Sequence, residues 1–273
     1  MKKNKIKLLS KEIKKLSKTK NYTIKIESKI DGIFESKIGG IPYWPPDKNY
    51  PTNSKGKKLF LLAQVNFDEE KVISPLPKNG ILQFFINDDD LMGLNFDDQT
   101  KQDNFRVVYH ETVDYQMTKK AIKKLGAIDC KKADNFPVSN EYKISLHAGT
   151  DYITLGDFHF NKFFSKAYKE VYKKDLKEDE NYMDILEDYE INELEEEFET
   201  NKSNHKMLGY SFFTQEDPRY NKKYMDYDTL LFQIDSDEQY LMWGDVGVGN
   251  FFIPKKSLEE KDFSHVLYNW DCY

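Results

Sequence analysis

Eight side chains able to do chemistry crowd into the last stretch of the chain: His205, Gln215, Asp217, Arg219, Gln233, Trp243, Asp245 and Asn250. They stand among apolar runs such as Leu230-Leu231-Phe232 and Phe251-Phe252-Ile253. A guanidinium and an imidazole in apolar surroundings could hold an anionic group, with Trp243 packed beside it. His205 and Asp245 could also serve as acid and base of a hydrolysis in a cleft. The same residue types have a structural use, which is the stronger expectation. Gln233 and Asn250 would then satisfy backbone groups at strand ends, and Arg219 would pair with Asp217 or Asp245 to fix a loop. At Trp243-Gly244-Asp245 a ligand could approach the indole past the glycine, but a core Trp243 and a turn-capping Asp245 are expected.

Other reactive patterns are incomplete. Gly244-x-x-Gly247-x-Gly249 is followed by Phe251-Phe252-Ile253-Pro254, a strand and a stop, where a phosphate loop needs a helix and a lysine. Neither a Gly-x-Ser-x-Gly elbow nor a His-Glu-x-x-His motif occurs. His110, His147, His159, His205 and His265 show no ligand-like pairing with cysteine. Asp235-x-Asp237 and Asp88-Asp89-Asp90 lack the glycine and distal glutamate of a calcium loop. Cys272 follows Asp271, whose charge disfavours a thiolate, so a buried structural thiol is expected. The expectation is thus no catalytic set, no metal and no cofactor.

Strands must position the eight residues. Leu230 to Asp235 is apolar and then acidic, as in a buried strand running out into a turn. Leu59 to Phe67 is continuously apolar except for Gln64 and Asn66, so a strand buried on both faces is expected, with Gln64 needing partners. Further strands are expected at 22–34, 81–86 and 105–109. Gly39-Gly40 and the prolines at 42, 45 and 46 predict an ordered surface loop anchored by Tyr43 and Trp44.

Two regions read as helical. Ile6, Leu9, Ile13 and Leu16 make an apolar stripe on a basic helix over about residues 1–20. Docking on the domain is favoured over attachment to an acidic surface. Phe163 to Tyr172 and Tyr182 to Tyr189 predict helices at 160–176 and 180–199. The run Glu195-Glu196-Glu197 reads as a solvated face before a docking surface.

With 273 residues, 39% hydrophobic and 15% aromatic, the chain can bury a sizeable core. A net charge of −6, from 41 basic and 47 acidic residues, argues against nucleic acid as the default partner. Two cysteines, Cys130 and Cys272, make no disulfide framework, and no apolar run is long enough to span a bilayer. A cytoplasmic protein without membrane attachment is expected, with an unknown protein or small molecule as partner.

An internal repeat is also legible. Leu61-Leu62-Ala63-Gln64 matches Leu230-Leu231-Phe232-Gln233, and Phe84-Phe85-Ile86 matches Phe251-Phe252-Ile253. Gly40 precedes Gln64 by 24 positions, as Gly209 precedes Gln233. Two related halves with a cleft along their junction are expected.

At these residues the chain resembles the YwqG family of uncharacterised bacterial proteins. The resemblance rests on Gly39-Gly40-x-Pro42, Leu61-Leu62-Ala63-Gln64, His205-Lys206-x-x-Gly209-Tyr210, Gln215-x-Asp217-Pro218-Arg219, Trp243-Gly244-Asp245-x-Gly247 and Trp270-Asp271-Cys272. It implies an α+β fold and a cytoplasmic protein but supplies no reaction. The expected fold is α+β in one domain over 1–273: an N-terminal helix at about 1–20 and two related antiparallel β-rich halves at about 22–155 and 205–273. A helical insertion at about 160–200 separates the halves. The expected function is a non-catalytic binding or protein-interaction module, for instance antitoxin- or immunity-like. The alternative is a hydrolase acting on a small anionic substrate between the halves.

Overall fold

The computed structural model describes residues 3–30, 32–177, 180–198 and 204–273. Ten strands form one antiparallel sheet: β1 (Thr19–Lys29), β2 (Lys37–Ile38), β3 (Phe60–Asn66), β4 (Ile81–Ile86), β5 (Phe105–His110), β6 (Tyr142–Asp151), β7 (Lys206–Leu208), β8 (Thr229–Asp235), β9 (Val248–Ile253) and β10 (Leu267–Asp271). Their order is β10-β9-β8-β7-β1-β6-β2-β3-β4-β5. The strands expected at 59–67, 81–86, 105–109 and 230–235 are present, the first as 60–66, while the one expected at 22–34 runs instead over 19–29. The centre of the sheet is the long β1–β6 pair, with Ile24 opposite Leu146 and Ile26 opposite Ile144. β7 joins the β1 side through Lys206 and Thr23, and β2 joins the β6 side through Lys37 and Lys143.

The sheet curls into a nearly closed, barrel-like shape because its aromatic face is too large to leave in water. Phe84 of β4 stacks on Phe232 of β8, with ring centroids 4.5 Å apart. Phe105 on one edge strand lies 5.2 Å from Tyr268 on the other. Between the edges runs the segment before β5, where Gln99 O accepts from Tyr268 N at 3.0 Å and Gln99 Nε2 donates to Asn269 Oδ1 at 2.7 Å. β3, β4 and β9 are buried on both faces. Phe85 faces a second apolar cluster with Tyr43, Trp44 and Leu59.

Six helices accompany the sheet among the described residues: α1 (Lys3–Ser17), α2 (Lys119–Lys124), α3 (Phe160–Tyr172), α4 (Tyr182–Ile185), α5 (Asp188–Phe198) and α6 (Lys255–Glu259). α1 docks as its stripe predicts: Ile6, Leu9 and Ile13 are buried with Phe160, Phe164, Leu194 and Phe198. Leu16 is the exception and is exposed. The basic α1 lies on the acidic α5, where Lys14 Nζ donates to Glu197 O and Ser10 Oγ to Glu197 Oε2. Glu197 therefore faces the protein's own N-terminal helix, while Glu195 and Glu196 are exposed.

Several expectations change. The helix expected at 160–176 stops at Tyr172, because Lys173 turns left-handed at φ 58°. The helix expected at 180–199 is divided: Asn181 caps α4 with a reciprocal bond to Asp184, and Leu186 leaves the helix to enter the core. Residue 199 lies outside the described residues. Segment 36–45 is buried throughout instead of forming a surface loop, although Tyr43 and Trp44 anchor it as expected. It can be buried because Lys37, Gln64, Gln83 and the Leu62 carbonyl satisfy backbone groups along it.

Candidate functional site

Two polar frames hold loops against the sheet. Gln64 Oε1 accepts from Tyr43 N at 3.0 Å, and Gln83, opposite Gln64 in the ladder, donates Nε2 to Tyr43 O at 2.7 Å. Gln233 Oε1 accepts from Phe212 N at 2.8 Å, and Asn250, opposite Gln233, donates Nδ2 to Phe212 O at 2.9 Å. In each frame a loop residue has its N–H and its C=O satisfied by neighbouring strand amides. Buried lysines precede both loops: Lys37 pairs with Glu141 at 2.6 Å and Lys206 with Asp151 at 2.9 Å. Gly40 (φ 73°) and Gly209 (φ 80°) follow them. A Cβ on either would overlap that partner carboxylate, at 2.3 Å from Glu141 Cδ or Asp151 Oδ2. Gln233 and Asn250 thus satisfy loop backbone groups, as the sequence predicts.

Arg219 is fully buried beside Asp217, the partner that the sequence suggested, and beside Asp157, which it did not. Arg219 Nη2 lies 2.7 Å from Asp217 Oδ2, 2.9 Å from Asp157 Oδ2 and 2.7 Å from Ser211 Oγ. Its guanidinium is sandwiched between the rings of Phe158 at 4.4 Å and Phe252 at 4.0 Å. Asp217 Oδ2 also accepts from Phe158 N, tying the turn after β7 to the segment before α3. Burial alone would raise the Asp157 pKa, but Arg219 and His159 outweigh it and hold the carboxyl well below the usual range. Arg219 Nε and Nη2 both bond to buried carboxylates, so the group works as a clamp.

The remaining candidates are dispersed. His205 Nδ1 accepts from Asp235 N at 3.0 Å, and burial pushes its pKa down to about 4, against the pull of Asp237. Trp243 is fully buried, stacks on Trp270 at 5.8 Å and fills the space left by Gly249. Asp245 is exposed and caps nothing among the described residues; its backbone carbonyl accepts from Tyr273 N. The turn is closed instead by Gly247 N donating to Trp243 O and by Ser236 Oγ accepting from Trp243 N. Gln215 Nε2 donates to Cys272 O at 2.8 Å. Cys272 is half-buried, not fully buried as expected.

One open cleft borders the clamp, with a volume of about 430 Å³. Gln215, Glu216, Asp217 and Tyr220 line one wall; Asn161, Asn181 and Tyr182 from the helical insertion line the other. Arg219, His205 and Asp245 do not line it. Burial pushes the Tyr220 hydroxyl up to about 12, so it stays a neutral donor.

A family model for a domain of unknown function, DUF1963, matches residues 36–272. The chain belongs to the DUF1963 family. The expected YwqG resemblance is consistent with that family. No curated protein matches the chain. The DUF1963 match spans the cleft and all eight candidates, while α1 and β1 lie before it. No helix among the described residues is long and apolar enough to cross a membrane.

Sequence reasoning about this DUF1963 chain missed Asn161, Asn181, Tyr182, Glu216 and Tyr220. Only Asn181 carried a local signal, the Asn181-x-x-Asp184 capping pattern. Asp157 was missed because its partner, Arg219, lies 62 positions away in sequence.

Proposed function

We propose that the protein is a non-catalytic binding module of two related halves, and that the cleft between the helical insertion and Gln215–Tyr220 takes a basic group of a partner. The relation between the halves is supported by the two loop frames, the paired Lys37 and Lys206, and the strand order. Drawing the boundary before β6, rather than at 205, gives each half five strands, and each half's first strand, β1 or β6, then lies against the other half's short second strand, β7 or β2. That exchange would lock the copies together, and the insertion between β6 and β7 adds the outer wall of the cleft.

The observation that carries the binding reading is the contrast across Asp217. On one side all charges are consumed by the Arg219 clamp; on the other, Glu216 and the hydroxyls of Tyr182 and Tyr220 have no hydrogen-bond partner among the described residues. A carboxylate and two tyrosines lining one cleft suit an ammonium or guanidinium group. The net charge of −6 favours the approach of a basic partner. A hydrolase remains the competing reading, and turnover lost on changing His205 would favour it.

Calorimetric titration with argininamide and with a neutral amide of similar size tests the proposal. Saturable binding of the cation, weakened roughly tenfold in Glu216→Gln, is expected. Equal heats for both ligands, or binding unchanged in Glu216→Gln, would refute it.

A further inference from the structure

Away from this cleft, a cavity of about 450 Å³ lies between the free edge of β5 and the segment after α6. Gln102, Arg106, Tyr109, Lys261, Phe263 and Ser264 face it. Gln102 joins its two walls, accepting from Val107 N at 2.8 Å and donating to Phe263 O at 2.7 Å.

Arg106 is the unexplained group. Arg106 and Arg219 are the only arginines in a chain with 41 basic side chains. Lysine supplies positive charge everywhere else, so the particular use of arginine is its planar fork of donors. Arg219 fills that fork with two carboxylates and a hydroxyl. The Arg106 side chain has no hydrogen bond or ion pair to any described residue, and its Nε is buried without an acceptor. A buried donor left empty is unfavourable and rare in folded proteins.

A second cation stands on the facing wall. Lys261 follows α6 with φ 58°, a left-handed conformation that lysine seldom adopts, and its Nζ lies 5.9 Å from the Tyr109 ring centre. Two acids are near. Glu111 pairs with Lys261, and Asp103, within electrostatic reach of Arg106, accepts from the Ser54 amide and hydroxyl. Arg106 therefore keeps an unfilled fork inside a concave site.

We propose that this cavity binds an oxyanion, a carboxylate or a phosphate, held by the Arg106 fork with Lys261 beside it. The site is independent of the cleft for basic groups.

Having two arginines makes the test direct. The protein has two arginine Nε–Hε signals by ¹⁵N NMR, and Arg219, sealed in its clamp, is an internal control. Titration with inorganic phosphate and, separately, acetate at constant ionic strength should shift the Arg106 signal saturably and leave Arg219 in place. A response to phosphate alone identifies a phosphate site, to acetate alone a carboxylate site, and to both a general oxyanion site. Arg106→Lys removes the signal for assignment and should weaken the binding, followed through backbone amides, roughly tenfold, since charge remains but the fork is lost. Lys261→Gly, which suits the left-handed position, should weaken binding without loss of the fold. No saturable shift with either anion, equal shifts of both arginines, or binding unchanged in Arg106→Lys overturns the proposal.

Discussion

Gln64 and Gln233 make the same bond in two separate parts of the sheet: each accepts from the backbone N–H three residues beyond a left-handed glycine, at Tyr43 and at Phe212. Each glutamine is fully buried and each also donates to a carbonyl of the segment that precedes its own loop. Gln64→Leu and Gln233→Leu remove an acceptor without opening a cavity. Each should lower the stability by about 1–3 kcal/mol, read as a fall in the urea midpoint. A midpoint unmoved in either variant would remove that glutamine from the frame.

The Arg219 clamp should be a larger liability. Arg219→Met leaves Asp157 and Asp217 buried without a countercharge, and a loss of about 3–5 kcal/mol is expected by thermal or chemical denaturation. Asp157→Asn should be milder, because Asp217 still holds the guanidinium. Equal effects of the two variants would contradict this division of roles.

Asp245→Asn should leave stability within about 0.5 kcal/mol of the parent, since the side chain is exposed and bonds to nothing described. A drop of about 1 kcal/mol in the denaturation midpoint analysis would restore the turn cap that the sequence suggested.

How far the sequence could be read follows from where each signal lay. Gln64 and Gln233 were legible because a polar residue inside an apolar strand must find partners nearby. Arg219 and Asp217 were legible because they are two positions apart. Asp157 and the cleft were not, since their members join across the helical insertion and only packing brings them together. β6 was overlooked although Tyr142, Ile144 and Leu146 alternate with polar residues; its partners, β1 and β2, lie over a hundred positions upstream. Asp245 was misjudged because Ser236, from the end of β8, supplies the bond expected of it.

Falling pH should destabilise the fold through two buried histidines. Burial pushes His205 down to about 4 and His110 to about 3, whereas both have ordinary pKa values near 6.5 when unfolded. Below pH 6.5 the unfolded chain therefore binds protons that the folded chain does not. This contribution to stability is fully present above that value and is lost as pH falls towards 4 and 3. Denaturation between pH 7 and 5 should show uptake of up to about one proton for each of these histidines on unfolding. A His205→Asn variant should show a shallower slope; an unchanged slope would count against a buried neutral His205.

The binding cleft is tested most directly by hydrogen exchange with and without saturating argininamide. Slowed exchange is predicted at amides of 155–161, 181–183 and 215–220, with the Gln64 and Gln233 frames unaffected. Protection confined to another surface, or none at saturation, would contradict the assignment of the cleft as the site for a basic group.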